Sequence, residues 1–238
     1  MKMRNTITLS LLVLGALLPA RAEGIKDYED RITALTTKFE MMQVQPDKAI
    51  PSDILHRAEG VILLDRTRAG LLFAYQGGSG VALAREPHTR AWSPVAFLKA
   101  NEASLGFQIG AEKNFYVVLL MNTNAARFLT DPTFEFGGDA TGTAGGNTAG
   151  VSSTISPVER PILVYSLKEG LFGGAALKAG AVTPDEQANR NYYGQFVTMR
   201  DILYDHKVQA TPSGTYLASK INAYANPPPA NAPANASR

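Results

Sequence analysis

The strongest constraint on the fold lies between Gly60 and Met121, where apolar residues come in short runs and not at helical spacing. Val61–Leu64 is one such run. Leu105, Phe107 and Ile109 alternate with Gly106, Gln108 and Gly110, and Tyr116–Met121 is apolar throughout. A period of two marks a strand with one buried face, and an unbroken run of this length marks a strand covered on both. Ala69–Tyr75 and Gly80–Arg85 flank Gln76-Gly77-Gly78-Ser79, which predicts a hairpin turn at those four residues. Glu112-Lys113-Asn114 predicts another turn. Further strands are expected over Thr133–Thr143, from near Val151, over Ile162–Leu167 and over Leu171–Leu177.

Helical patterns bracket this strand-rich centre. Ile25, Tyr28, Ile32, Leu35, Phe39 and Met42 recur at intervals of three and four, predicting a helix over Ile25–Val44 that docks by one face. Its other faces mix Lys and Arg with an excess of acid, which disfavours a helix lying on a membrane. A short helix after Pro51, capped by Ser52 or Asp53, turns Ile54, Leu55 and Ala58 inward. One or two helical turns are expected over Asn124–Leu129. Thr183-Pro184-Asp185-Glu186 reads as a helix start, with Thr183 as cap and Glu186 closing a capping box, and the helix ends by Gly194. A last helix over Ser213–Tyr224 places Leu217, Ile221 and Tyr224 on one stripe. The expected fold is α+β: a curved, mostly antiparallel sheet, its closure into a barrel left open, with flanking N- and C-terminal helices. One domain over 23–225 accounts for the pattern, and the Pro/Ala/Asn-rich segment 226–238 is expected to be extended or disordered.

The first 22 residues read as a leader. Lys2 and Arg4 precede the apolar run Ile7–Leu18, and Ala20-Arg21-Ala22 fits the small-x-small cleavage rule. The expected compartment is periplasmic or secreted. Without Lys2, Arg4 and Arg21, the 23 basic residues fall to 20 against 21 acidic ones, so bulk charge gives no reason to expect a nucleic-acid partner. The 238 residues contain no cysteine, which excludes disulfides, thiolate nucleophiles and cysteine-ligated metals.

Catalytic patterns are absent. His56, His88 and His206 show no metal-ligand spacing, and no cofactor or metal is expected. Gly77-Gly78-Ser79-Gly80-Val81 puts Val81 where a nucleophile elbow needs glycine. Asp185, Glu186 and Asn189 could hold a cation, but helix capping already accounts for the first two. The run FGGDATGTAGGNTAGV, Phe136–Val151, lacks the Gly-Lys-Ser/Thr ending of a phosphate loop and reads as a close-packed strand entering a turn at Gly145–Asn147.

Seven stretches in order carry a family resemblance: AEGVILL (Ala58–Leu64), AGLLFAYQGGSGVALAR (Ala69–Arg85), WSPVAFL (Trp92–Leu98), SLGFQIGAEKNFYVVLLMN (Ser104–Asn122), FEFGGDATGTAGG (Phe134–Gly146), YSLKEGLFGGAALKAG (Tyr165–Gly180) and NRNYYG (Asn189–Gly194). Together they resemble the SYLF-domain family, the lipid-binding or actin-regulator domain. The resemblance implies a binding module and not an enzyme: eukaryotic relatives bind phosphoinositides and in some cases actin, and exported bacterial relatives bind phospholipids. It implies a phospholipid or membrane-surface partner for this chain, with a cell-envelope protein–protein interaction module as the alternative. Given the leader, an actin partner is not expected. An anionic lipid would call for cations beside exposed apolar groups. The candidates are Arg66, Arg68, Lys99, Lys113, Lys168 and Lys178, with Leu171 and Phe172 between the last two.

Overall fold

The computed structural model describes residues 23–70, 74–104, 110–132, 134–136, 141–142, 161–167, 170–171 and 180–228; at 68–70, 74–76, 101–104, 110–112, 134–136, 141–142, 170–171 and 180–181 it describes the backbone alone. The leader, most of the run after Phe136 and the tail beyond Pro228 lie outside the described residues.

Nine strands are described: β1 Gly60–Gly70, β2 Ala74–Ala84, β3 Ala96–Ser104, β4 Gly110–Leu120, β5 Phe134–Phe136, β6 Thr141–Gly142, β7 Ile162–Ser166, β8 Gly170–Leu171 and β9 Gly180–Pro184. They form one sheet in the order β5-β9-β3-β2-β1-β4-β7-β6, with β8 also on β7. Every pairing is antiparallel except β6 on β7. Phe136 ends one edge strand and Thr141 begins the other, and five steps of chain reach at most about 19 Å. Eight strands laid flat would hold those edges about 34 Å apart. The sheet is therefore curved, and among the described residues β5 and β6 do not pair, so it stays open.

Helices cover both faces. α1 (Ile25–Gln43), α2 (Ser52–Arg57), α4 (Glu186–Tyr193) and α6 (Pro212–Ala225) pack on one side. There Tyr28, Ile32, Leu35, Phe39 and Met42 of α1 meet Leu63, Val81, Phe97, Val117 and Leu119 of the sheet. α3 (Thr123–Arg127), a 3₁₀ turn at Phe128–Thr130 and α5 (Met199–Leu203) pack on the other, against Ile62, Leu64, Leu98, Val118 and Val164. The predicted docking stripe of α1 is buried as expected, since a helix with apolar residues on a single face gains most by laying that face on a sheet.

Several boundaries differ from expectation. Gln76–Ser79 is not a turn: it lies inside β2, which pairs with β1 out to Gly70 and Ala74. The glycines serve close packing. A Cβ on Gly78 would stand 2.6 Å from the Asp65 carbonyl oxygen, and one on Gly80 would stand 2.6 Å from that of Leu63. Glu112-Lys113-Asn114 likewise continues β4, paired to β1 throughout. The single strand expected over Thr133–Thr143 is two, at opposite edges of the sheet. Thr183 and Pro184 belong to β9, held by Lys99 and Leu98 of β3, so the cap of α4 moves to Asp185, whose side chain accepts from the Ala188 N–H. Pro51, not Ser52 or Asp53, precedes α2. α5 was not foreseen, although Thr198 and Asp201 form a capping box at its start.

Candidate functional site

Cross-strand register defines the site. Gly70 pairs with Ala74 and with Gly110, and Ala74 pairs with Ser104, so four strand ends stand in one row. From Thr67 to Gly70 the sheet continues toward that row for roughly 10 Å. None of the described side chains in this stretch joins either apolar cluster.

The period of two then assigns faces to the candidate cations. Lys99 shares a row with Ser79 and Asp65, and Lys113 pairs with Thr67. Both are exposed and belong to the face that carries α1. Lys38 of α1 reaches the same region and ion-pairs with Asp65, neutralising the carboxylate that shares the row of Lys99. Arg66 lies on the opposite face, paired in register with Gly78 and Asn114. Arg68 and Leu171 are placed by backbone alone, in β1 and β8, while Lys168, Phe172 and Lys178 lie outside the described residues. The structure therefore brings Lys99 and Lys113 to one face of the sheet and puts Arg66 on the other.

Beside Arg66 is a polar group that the sequence reading passed over. The Ser166 hydroxyl donates to Asn114 Oδ1 at 3.0 Å, and Asn114 Nδ2 donates to the Tyr116 phenol oxygen at 3.1 Å. Ser166 is fully buried, while Asn114, Tyr116 and Arg66 are half-buried. The available signals were Asn114 and Tyr116 two apart in one strand, and a serine ending the apolar run of β7.

Other chemistry-bearing groups are occupied in holding the fold. Asn189 is buried and closes both backbone groups of Phe97, while Asp185 caps α4, so neither is left for a cation. The Tyr192 hydroxyl bonds the Glu29 carboxylate and Thr211, tying α4 to α1 and α6, and burial pushes its phenol up to about 12. Arg85 is buried with its guanidinium 4.0 Å over the Trp92 ring, donating to the Ala58 and Arg90 carbonyls; desolvation lowers it to about 10. His56 Nδ1 meets Asn226 Oδ1 at 2.9 Å. Among the described residues no three His, Cys, Asp or Glu side chains cluster to hold a metal ion, and no helix is long and apolar enough to cross a membrane.

A curved antiparallel sheet sheathed by helices on both faces defines the class as an α+β domain. Residues 101–224, just over half of the chain, match the Ysc84 family model, described as Las17-binding protein actin regulator, and the chain belongs to that family. This is the SYLF-domain resemblance read from the sequence. The chain is 33% identical over 154 residues to SH3 domain-containing YSC84-like protein 1 of Xenopus laevis, covering 63% of this chain and 45% of that protein. The Homo sapiens protein of the same name is 31% identical over 163 residues, covering 67% and 47%. LAS seventeen-binding protein 3 of Saccharomyces cerevisiae is 31% identical over 161 residues, covering 66% and 35%. The chain thus spans less than half the length of these relatives. No solved structure gives a significant match. The family description links its members to actin and to a protein partner, so the expectation that sets actin aside gains nothing from these comparisons.

Proposed function

We propose that this protein is an exported, non-enzymatic module that binds anionic phospholipid surfaces through exposed cations on the α1 face of its sheet. The observation that carries the reading is the register placement of Lys99 and Lys113. Both are exposed on the face of the sheet that carries α1, and the Asp65 carboxylate in the row of Lys99 is already taken by Lys38. The sequence between the paired strand ends adds apolar character: Leu71-Leu72-Phe73 separates Gly70 from Ala74, and Leu105-Gly106-Phe107-Gln108-Ile109 separates Ser104 from Gly110. Cations beside apolar side chains are what an anionic bilayer surface rewards, at about 1 kcal/mol for each Lys or Arg near the headgroups. The leader supports the exported setting.

Co-sedimentation of the 23–238 chain with phosphatidylglycerol vesicles, and with phosphatidylcholine vesicles for contrast, tests the reading at low salt. Pelleting with the anionic vesicles is expected, and its absence would sink the proposal. A second reading has the family description behind it: an envelope protein–protein interaction module without direct lipid contact, related in mode to the protein binding for which the family is described. Capture of a partner that survives detergent and is lost on deleting Asn226–Arg238 would favour that reading.

A further inference from the structure

The C-terminal end of α6 meets the only tryptophan of the chain. The Trp92 indole N–H donates to Asn222 Oδ1 at 3.0 Å, which fixes one edge of the ring. The buried Arg85 holds its guanidinium 4.0 Å over the ring and covers one face of it. Trp92 is nevertheless half-exposed, so a part of the indole that Arg85 does not cover stays open in a fixed orientation. One helical turn beyond Asn222, α6 stops. Asn226 Nδ2 donates to the Asn222 carbonyl at 3.1 Å, and Asn226 Oδ1 accepts from His56 Nδ1 at 2.9 Å. His56 is joined in turn to the loop that carries Trp92, because its carbonyl accepts from Arg90 Nη2 at 3.2 Å. The point where the chain leaves the domain is therefore pinned beside Trp92, and the exposed Pro227 and Pro228 follow it. From Pro227 onward the sequence is Pro, Ala, Asn and Ser, with no charge before Arg238. An uncharged segment laid here leaves the ion pair of Arg90 with Glu59 undisturbed. Proline-rich chain is preformed as polyproline II, loses little freedom on binding, and docks on aromatic side chains. At about 3.1 Å per residue, 227–233 reaches about 20 Å. Asn222 and Asn226 are only about 6 Å apart along the helix, so this length suffices to fold back over the indole.

We propose that the open part of Trp92 is a docking surface for an uncharged, proline-rich segment, and that its occupant is this chain's own tail, 227–233, folded back in polyproline II form. Tethering gives the tail an effective concentration in the millimolar range, so a stack too weak to hold a free peptide at ordinary dilution is held within the chain. The inference is independent of the membrane reading, since it uses neither Lys99 nor Lys113. A proline-rich segment of another protein would have to displace the tail to reach Trp92.

Trp92 is its own reporter, because no other tryptophan contributes to the emission. Acrylamide quenching is compared for the 23–238 chain, a 23–226 chain and the 23–238 chain carrying Pro227→Ser/Pro228→Ser/Pro229→Ser, with thermal midpoints to show that all three keep the fold. Half to full occupancy by a tethered segment is expected to leave both altered chains with a quenching constant about twofold above the parent's. Their emission is expected to shift to the red. A synthetic peptide of residues 227–238 at millimolar concentration is expected to return the 23–226 chain to the parent's protection. Equal quenching in the three folded chains overturns the docking. If the 23–226 chain is quenched faster while the serine variant matches the parent, the tail covers Trp92 without its prolines and the polyproline surface is overturned. Protection that the parent loses on dilution assigns the occupant to the tail of a second copy and overturns the fold-back within one chain.

Discussion

At the scale of single residues, glycine decides the shape of the sheet's centre. Gly78 and Gly80 alternate with Ser79 along β2, so both turn toward the face opposite α1, where β1 presents Arg66 and Leu64 as their register partners. The space each glycine leaves is taken by that partner: a Cβ on Gly80 would stand 3.0 Å from Leu64 Cδ1. Gly78→Ala would also press on the Asp65 carbonyl, a backbone atom that cannot swing aside. It is expected to cost about 2 kcal/mol through overpacking, read as a lowered urea midpoint with an unchanged slope. A second residue-scale prediction concerns alkaline pH. Tyr192 is held neutral by burial and by its bond to Glu29, with its phenol raised from 10.0 to about 12. A raised folded-state value means its contribution is intact below pH 10 and is lost as pH climbs from about 10 to 12. Thermal midpoints are expected to fall across that window, and Tyr192→Phe to make the fall shallower.

At the scale of elements, the helices show which information is local. α1 was legible because its apolar spacing is its own, and the docked face follows from it: Phe39 is fully buried, edge-on to Tyr224 at 5.7 Å. Phe39→Ala is expected to cost about 3–5 kcal/mol in urea unfolding. α5 has only five residues and too few turns for a period, yet its capping box was readable; Thr198→Ala is expected to cost about 1 kcal/mol. Strand ends were harder to read. Gln76-Gly77-Gly78-Ser79 carries turn chemistry in isolation, and only the residues opposite it, Arg68 to Asp65, show that the glycines fill a strand. The same holds for the candidate site. Lys99 and Lys113 were legible as cations, but their common face, and the separation of Arg66 from them, depend on the registers of β1 with β2, β2 with β3 and β1 with β4. Asn114 and Ser166 became visible as a pair only through the pairing of β4 with β7.

At the scale of the whole molecule, electrostatics must work by placement, because residues 23–238 hold 20 basic against 21 acidic residues. A nearly neutral body has no long-range attraction to an anionic surface, so any such attraction comes from a patch where cations outnumber acids. Most described lysines are committed elsewhere: Lys26 to Asp30, Lys38 to Asp65, Lys207 to Asp201 and Lys220 to Glu40. Among the described residues Lys99 and Lys113 carry no such pairing, and they share one face of the sheet. Replacing both by alanine removes about 2 kcal/mol of headgroup attraction at about 1 kcal/mol each, which corresponds to roughly thirtyfold weaker vesicle binding. Both side chains are exposed, so stability is expected to stay within about 0.5 kcal/mol of the parent. Salt separates this from an apolar mode of binding. The screening length falls from about 10 Å at 0.1 M to about 3 Å at 1 M, so the parent's affinity is expected to drop steeply over that range while the double variant's changes little. Parallel salt curves for the two proteins would place the membrane contact away from Lys99 and Lys113.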